Sequence, residues 1–448
     1  MLPVPAGVVP RAWHLLAIFV ATIVGIMTQA LPMTVVALLG LAATLLTRTL
    51  AIDEALSGFG HGVVWLVVFA FFIARGMLKS GLGMRIAYLF LAALGRKTLG
   101  LAYALIGADL VMAPAIPTNT ARGGGVMFPI VRSVASTCGS EPDDGTARKL
   151  GAFLVLTSFQ GTLITSAMFL TAMAANPLMA EMARSLGVEI TWGVWFRAAV
   201  VPGLLSLAVM PALVYRLFPP EVTETPQAQA MARERLARLG PMTAHESIML
   251  GVFVLLLLLW VFGAELQVHP TTAALVGVCV LLLTGVLRWK DLHEEEGAWT
   301  TLVWLGILFT LATFLEELGL ISWFTGLVSG ELSGMGWVPA LILLSLVYFY
   351  CHYFFASDGA QIFSMYLPFV STAVALGVPP LLAALTLAFL SNMFGGLTHY
   401  GTGPAPVFFG AGYVPVGTWW KVGGIVSISN FLIWVFVGGA WWKVLGLW

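Results

Sequence analysis

Apolar stretches long enough to cross a lipid bilayer follow one another along almost the whole chain, and this feature excludes most folds. A helix needs roughly 17–25 such residues to span a hydrocarbon core of about 30 Å. Runs of this kind lie at 13–29, 31–48, 62–78, 150–175, 193–216, 246–264, 270–287, 299–318, 380–410 and 421–446, with a shorter one at 86–94. The chain is 59% hydrophobic and 9% charged, whereas a soluble domain has about a quarter of its residues charged. Too few charges remain to dress a soluble surface, so lipid must be the solvent for most of it. The expected fold is an all-α polytopic membrane protein of about eleven transmembrane helices. The stretch from Trp13 to Met27 is read as the first of them, since no cleavage site and soluble body follow it.

Several function classes drop out at once. A net charge of zero leaves no basic footprint for nucleic acid. Cys138, Cys279 and Cys351 lack metal-ligand spacing. Glu294-Glu295-Glu296 after His293 reads as a solvated loop rather than a metal site. Trp419-Trp420 and Trp441-Trp442 suit interfacial anchoring. No Walker, GxSxG or HExxH motif is present. Neither an enzyme, a cofactor nor a bound metal is expected.

One long polar stretch, Phe218 to Glu246, interrupts the apolar runs and carries Arg233, Arg235 and Arg238, with Arg216 just before it. Positive charge near helix ends marks the cytoplasmic side. With the N-terminus also cytoplasmic, Arg11, Arg48, Arg132, Arg148 and Lys149 fall inside, and Lys79 and Arg85 outside. The expected division is an extra first helix at 1–30, a first repeat at 31–218, a cytoplasmic linker at 219–245 and a second repeat at 246–448.

Two segments fit neither a span nor a loop. Residues 98–137 have two apolar arms around a polar tip, and 337–376 repeat the pattern. Each arm is about 15 residues, or ~22 Å of helix, too short to cross. Both are expected to be re-entrant hairpins. Thr118-Asn119-Thr120-Ala121-Arg122 precedes Phe128-Pro129, and Ser357-Asp358-Gly359-Ala360-Gln361 precedes Leu367-Pro368, so the proline follows the first hydroxyl residue at the same spacing. Inverted repeats with broken helices are the construction plan of many secondary transporters.

The tips carry the chemistry. Freed N–H groups at a half-helix start favour anions, and Thr118, Asn119 and Thr120 add hydroxyl and amide donors. Simple helix capping is the plain alternative. Arg122, in the apolar middle of the first hairpin, needs a partner: either a substrate carboxylate held bidentately, or a fixed ion pair with Asp358 or nearby carbonyls. Two further Gly- and Pro-rich stretches read as unwound helix. One runs from Gln160 through Thr165 and Ser166 to Asn176-Pro177. The other runs from Thr398 through His399, Gly401 and Thr402 to Pro406. His399 could bond a carboxylate, titrate, or be structural.

Four stretches carry a resemblance: TNTARGGGVMFPI (118–130), ITSAMFLTAMAANPL (164–178), GAWTTLVWLGILF (297–309) and LTHYGTGPAPVFFGAGYVPVGTWW (397–420). Together they resemble the divalent anion/sodium symporter family. The likeness is to its exchanger branch of bacterial citrate/succinate and tartrate/succinate antiporters and the plastid 2-oxoglutarate/malate translocator. The resemblance implies a homodimer in the inner membrane, with a scaffold and a transport domain moving as an elevator. It also implies that Thr118-Asn119-Thr120 and the tip at Ser357, Asp358 and Gly359 bind small di- or tricarboxylates. Relatives place an apolar residue, Thr, Ala and His after that serine, whereas this chain has Asp358-Gly359-Ala360-Gln361. The expected activity is exchange of one carboxylate for another, with Na⁺- or H⁺-coupled symport as the alternative.

Overall fold

The computed structural model describes residues 3–28, 30–332 and 334–448, and every regular element among them is helical. The first half runs α1 (Pro10–Thr28), α2 (Met33–Leu46), α3 (Ile52–Leu56), α4 (Gly62–Ser80), α5 (Leu82–Leu94), α6 (Thr98–Met112), α7 (Phe128–Thr137), α8 (Gly151–Met168), α9 (Asn176–Ser185) and α10 (Trp192–Leu217). A helix in the linker, α11 (Pro226–Leu239), leads to α12 (Ala244–Val261) and the short α13 (Gly263–Leu266). The second half continues with α14 (Pro270–Leu283), α15 (Trp289–His293), α16 (Glu296–Glu317), α17 (Leu320–Glu331), α18 (Trp337–Tyr350), α19 (Asp358–Gln361), α20 (Leu367–Ala375), α21 (Pro380–Met393), α22 (Ala405–Gly410), α23 (Val416–Leu432) and α24 (Gly439–Val444).

The order repeats, and so do the devices that stop and start helices. Gly81 (φ 81°) separates α4 from α5, and Gly319 (φ 80°) stands between α16 and α17. Only glycine reaches this left-handed backbone without a Cβ clash. In each hairpin a proline opens the second arm: Pro129 in α7 and Pro368 in α20. Proline has no N–H to donate, and its ring crowds the carbonyl four residues back. The preceding turns widen accordingly, and both Thr120–Met127 and Ile362–Tyr366 are π-helical.

Helix α8 has every residue buried, as has α21 from Leu382 to Met393, and the two pack together at the centre. Outer helices instead present apolar side chains outward: Leu38, Leu39 and Leu46 on α2, and Leu275, Val276 and Leu283 on α14. Among the described residues, 9 helices are long and apolar enough to cross a bilayer. The chain is a multi-pass membrane protein.

The shorter run at 86–94 forms a helix below the length of the candidate spans. Helix α5 lies along the linker at both ends: Arg85 Nη1 donates to Gly240 O (2.9 Å), Gln229 to Ala92 O (2.8 Å) and Thr225 Oγ1 to Gly95 O (2.9 Å). At 13 residues, bounded by glycine and carrying a charge, it is too short to span and lies flat against α11. Between Arg11 and the linker, α1, α4, α8 and α10 are long and apolar enough to cross, and so is the first arm of the hairpin, Thr98–Ala115, which exceeds the length expected of it, whereas α2 is one of the shorter apolar helices. Arg85, expected across from the linker, instead sits beside it, bonded to Gly240 O and paired with Glu246 (Nε–Oε1 2.7 Å). The linker itself is tied to the hairpin root, since Thr98 N donates to Thr223 O (3.0 Å) and Val222 N to Lys149 O (3.0 Å).

Candidate functional site

The two hairpin tips meet. Residues 116–118 and 355–357 are non-helical, and beyond them Asn119 Nδ2 lies 3.4 Å from Asp358 Oδ2. These positions are 239 apart, the same offset as Pro129 and Pro368. The contact therefore joins equivalent points of the repeat.

In the first hairpin the dominant group is Arg122, which is fully buried. Its Nε donates to Asp109 Oδ1 (3.1 Å) on α6. Nη1 donates to Ile116 O and Ala172 O (both 2.9 Å). Nη2 reaches Thr162 O (3.1 Å), Thr165 Oγ1 (3.3 Å) and Ser166 Oγ (2.6 Å) on α8. Asp109 in turn accepts from Thr165 Oγ1. Every guanidinium N–H is thus spent on protein, and the ion-pair partner is Asp109, not Asp358. A buried charge is tolerable only when paired and hydrogen-bonded. Here one cation stitches the tip, both arms and α8 into a rigid block.

The second tip carries an acid, Asp358, with an imidazole behind it. Asp358 is 8% exposed; its Oδ2 accepts from Thr402 Oγ1 and Asn119, while Oδ1 has no hydrogen-bond partner. Thr402 Oγ1 also accepts from Asn119 (3.1 Å). His352 is fully buried in the arm before the tip, with Nδ1 2.7 Å from Gln361 Oε1 and Nε2 2.9 Å from Gly401 O. Its Nε2 stands 3.8 Å from Asp358 Oδ1.

The remaining expected residues divide. Thr118 is buried and its carbonyl receives the Arg122 N–H (3.0 Å), while Thr120 is exposed at the tip beside Gly403. Ser357 stands at the start of α19 without a capping bond from its side chain, and the Gly359 Cα faces the Trp304 ring. Thr398 is buried and its hydroxyl is unpartnered. His399 is remote from this cluster in its bonding: Nδ1 accepts from Trp420 Nε1 (3.1 Å), and the ring sits among Phe409, Tyr400 and Trp420.

One expected break is displaced. Helix α8 continues unbroken through Gln160–Ser166 to Met168, and the non-helical stretch is 169–175. Gly161 serves close packing against Ile106 rather than unwinding, and the Thr165 and Ser166 hydroxyls bond back to Thr162 O (3.0 and 2.7 Å). The second stretch is open over 397–404. Asp109, His352 and Gln361 were missed. The signal for the first two was a lone polar group inside an otherwise apolar arm, each needing a partner.

Comparison with known proteins follows this geometry. The sequence pattern of the family described as "Sodium:sulfate symporter transmembrane region" matches residues 1–448. YflS of Bacillus subtilis (strain 168), named provisionally as a malate transporter, is 55% identical over 448 residues, covering 100% of this chain and 94% of that protein. "Dicarboxylate transporter 1, chloroplastic" of Spinacia oleracea is 52% identical over 450 residues, covering 100% of this chain and 79% of that one. In fold, the crystal structure of the Alcanivorax borkumensis YdaH transporter matches with a TM-score of 0.54 at 15% identity, over 97% of this chain and 98% of that chain.

Proposed function

We propose that this chain, which belongs to the sodium:sulfate symporter family, carries dicarboxylates across a bacterial inner membrane by exchanging one for another. The protein is a transporter and not an enzyme. Its relatives' names point to malate and dicarboxylates. The observation that carries the reading is the meeting of two equivalent tips at Asn119 and Asp358, where Thr118, Thr120, Ser357, Thr398 and Thr402 supply further polar groups. Two such tips suit a molecule with a carboxylate at each end. In this reading Arg122 positions the first tip from behind, together with Thr165 and Ser166, and does not touch substrate. A homodimer and an elevator motion belong to the same proposal.

Orientation is part of it. In this reading the linker, with Arg233, Arg235 and Arg238, and the residues bonded to it, Arg85, Arg148 and Lys149, share one face, and Arg11 lies on the other. The positive-inside rule then puts the linker in the cytoplasm and the N-terminus outside.

The test is efflux from proteoliposomes loaded with labelled succinate or malate. An exchanger releases label only when a dicarboxylate is present outside. Release into carboxylate-free buffer, accelerated by a Na⁺ or H⁺ gradient, would replace exchange with symport.

A further inference from the structure

Resting on the dicarboxylate reading, we propose that His352 and Asp358 form a buried imidazolium–carboxylate pair that takes up one proton when substrate binds, so that each dicarboxylate is carried together with a proton.

The argument begins with the imidazole. Gln361 Nε2 donates to Tyr348 O (2.5 Å). Turning that amide over would face oxygen to oxygen, so Oε1 points at His352 Nδ1. The other ring nitrogen points at Gly401 O. Both nitrogens thus face acceptors, and only the doubly protonated ring donates to both. Burial disfavours such a cation unless it is compensated. Here it has two acceptors, the Asp358 carboxylate at 3.8 Å, and the Phe394 ring stacked at 4.0 Å and 16°. The site is closely built. A Cβ on Gly401 would come 2.5 Å from His352 Nε2, and one on Gly395 2.9 Å from Asp358 Oδ1.

Among the described residues, no other cation bonds to this carboxylate. Arg122 is tied to Asp109, and His399 accepts from Trp420. Helix α1, packed against α19, carries His14 and Arg11, the latter paired with Glu54. Helix α18 contributes Tyr348, whose hydroxyl is bonded to Ser391 (2.7 Å), and α16 faces the hairpin with Trp304.

Substrate disturbs this balance. The donors that hold Asp358 Oδ2, Asn119 and Thr402, are the same ones a substrate carboxylate needs. When the substrate takes them, Asp358 loses its hydrogen bonds beside a dianion, and its charged form becomes untenable. One proton from solution then binds the carboxylate. His352 keeps both of its own, and the added proton leaves when the substrate leaves.

The experiment is calorimetric titration of the purified full-length protein with succinate, malate and 2-oxoglutarate. It is run at a pH where all three are fully ionised, in buffers of different protonation enthalpy. Protons taken up per ligand bound should be about one in the wild type. The ratio should fall to near zero in Asp358→Asn and in His352→Gln, whatever affinity remains. Infrared difference spectra should show a protonated carboxyl appearing on ligand addition in the wild type and absent in Asp358→Asn. Ligand binding without proton uptake in the wild type overturns the proposal, as does unchanged uptake in Asp358→Asn. Failure of all three acids to bind a folded wild type would instead break the dicarboxylate reading itself.

Discussion

The two hairpins share a backbone plan and differ in what locks it. At one position Arg122 spans Asp109, three carbonyls and two hydroxyls. The equivalent position, 239 residues on, is Gln361, which binds Tyr348 O and the His352 ring. The first hairpin therefore carries its charge behind the tip, fully compensated. The second carries an acid at the tip itself, with one oxygen unpartnered. A repeat can conserve its turns and prolines while moving charge from scaffold to working surface. The geometry of a π-turn needs only a proline, whereas compensation of charge depends on every neighbour.

The sharpest way to break this comparison is topological. In a cysteine-free background, Ser136→Cys at the end of α7 should be labelled by an impermeant thiol reagent from the linker's side. Ala375→Cys at the end of α20 should be labelled only from the opposite side. Labelling of both from one side would end the idea of paired, oppositely inserted hairpins.

Next in size is the contrast of locks. Arg122→Met strands Asp109 in the core and should lower stability by about 3–5 kcal/mol. Gln361→Met removes one acceptor of the His352 ring and the donor to Tyr348 O, but leaves the ring Gly401 O and Asp358, and should lower it by about 1–3 kcal/mol. Thermal melts of the purified variants decide, and equal losses would mean that the charge adds nothing to the first hairpin.

Asn119→Ala should abolish exchange in proteoliposomes while shifting the melt by no more than about 1 kcal/mol. Wild-type exchange in this variant would reduce the first tip to helix capping.

A rim pair supplies the smallest effect. Partial burial raises the Asp291 carboxyl, but its bonds to Lys79 Nζ (2.5 Å) and the Arg288 N–H outweigh this and hold it below the usual range. Its stabilisation is present above the ordinary carboxylate range and lost as pH falls through the depressed value. Lys79→Met should therefore lower stability by under about 1 kcal/mol at neutral pH. The difference from wild type should vanish in acid.

Much of the fold was legible. Apolar length against bilayer thickness located most of the long helices but misjudged the first hairpin arms, since Thr98–Ala115 and Trp337–Phe354 are long enough to cross, and the spacing of Pro129 and Pro368 from their tips exposed the repeat. The tips themselves were legible at Asn119 and Asp358. The flat course of α5 was not, because a 13-residue apolar helix reads as a short span until Gln229 and Thr225 are seen bonded to its carbonyls. Nor was the continuity of α8 through Gly161, since a glycine that lets Ile106 approach looks the same in sequence as one that lets a helix unwind.

The sequence by itself determined that this chain lives in a bilayer as a duplicated helical transporter, because those conclusions rest on run length, glycine and proline placement, and period, all local properties. Only the tertiary structure decided which groups meet. Arg122 pairs with Asp109 rather than Asp358, His352 rather than His399 stands by the tip acid, and Arg85 sits beside the linker rather than across from it. Partners are chosen by which carbonyls and carboxylates converge once helices pack, and that convergence depends on residues far apart along the chain.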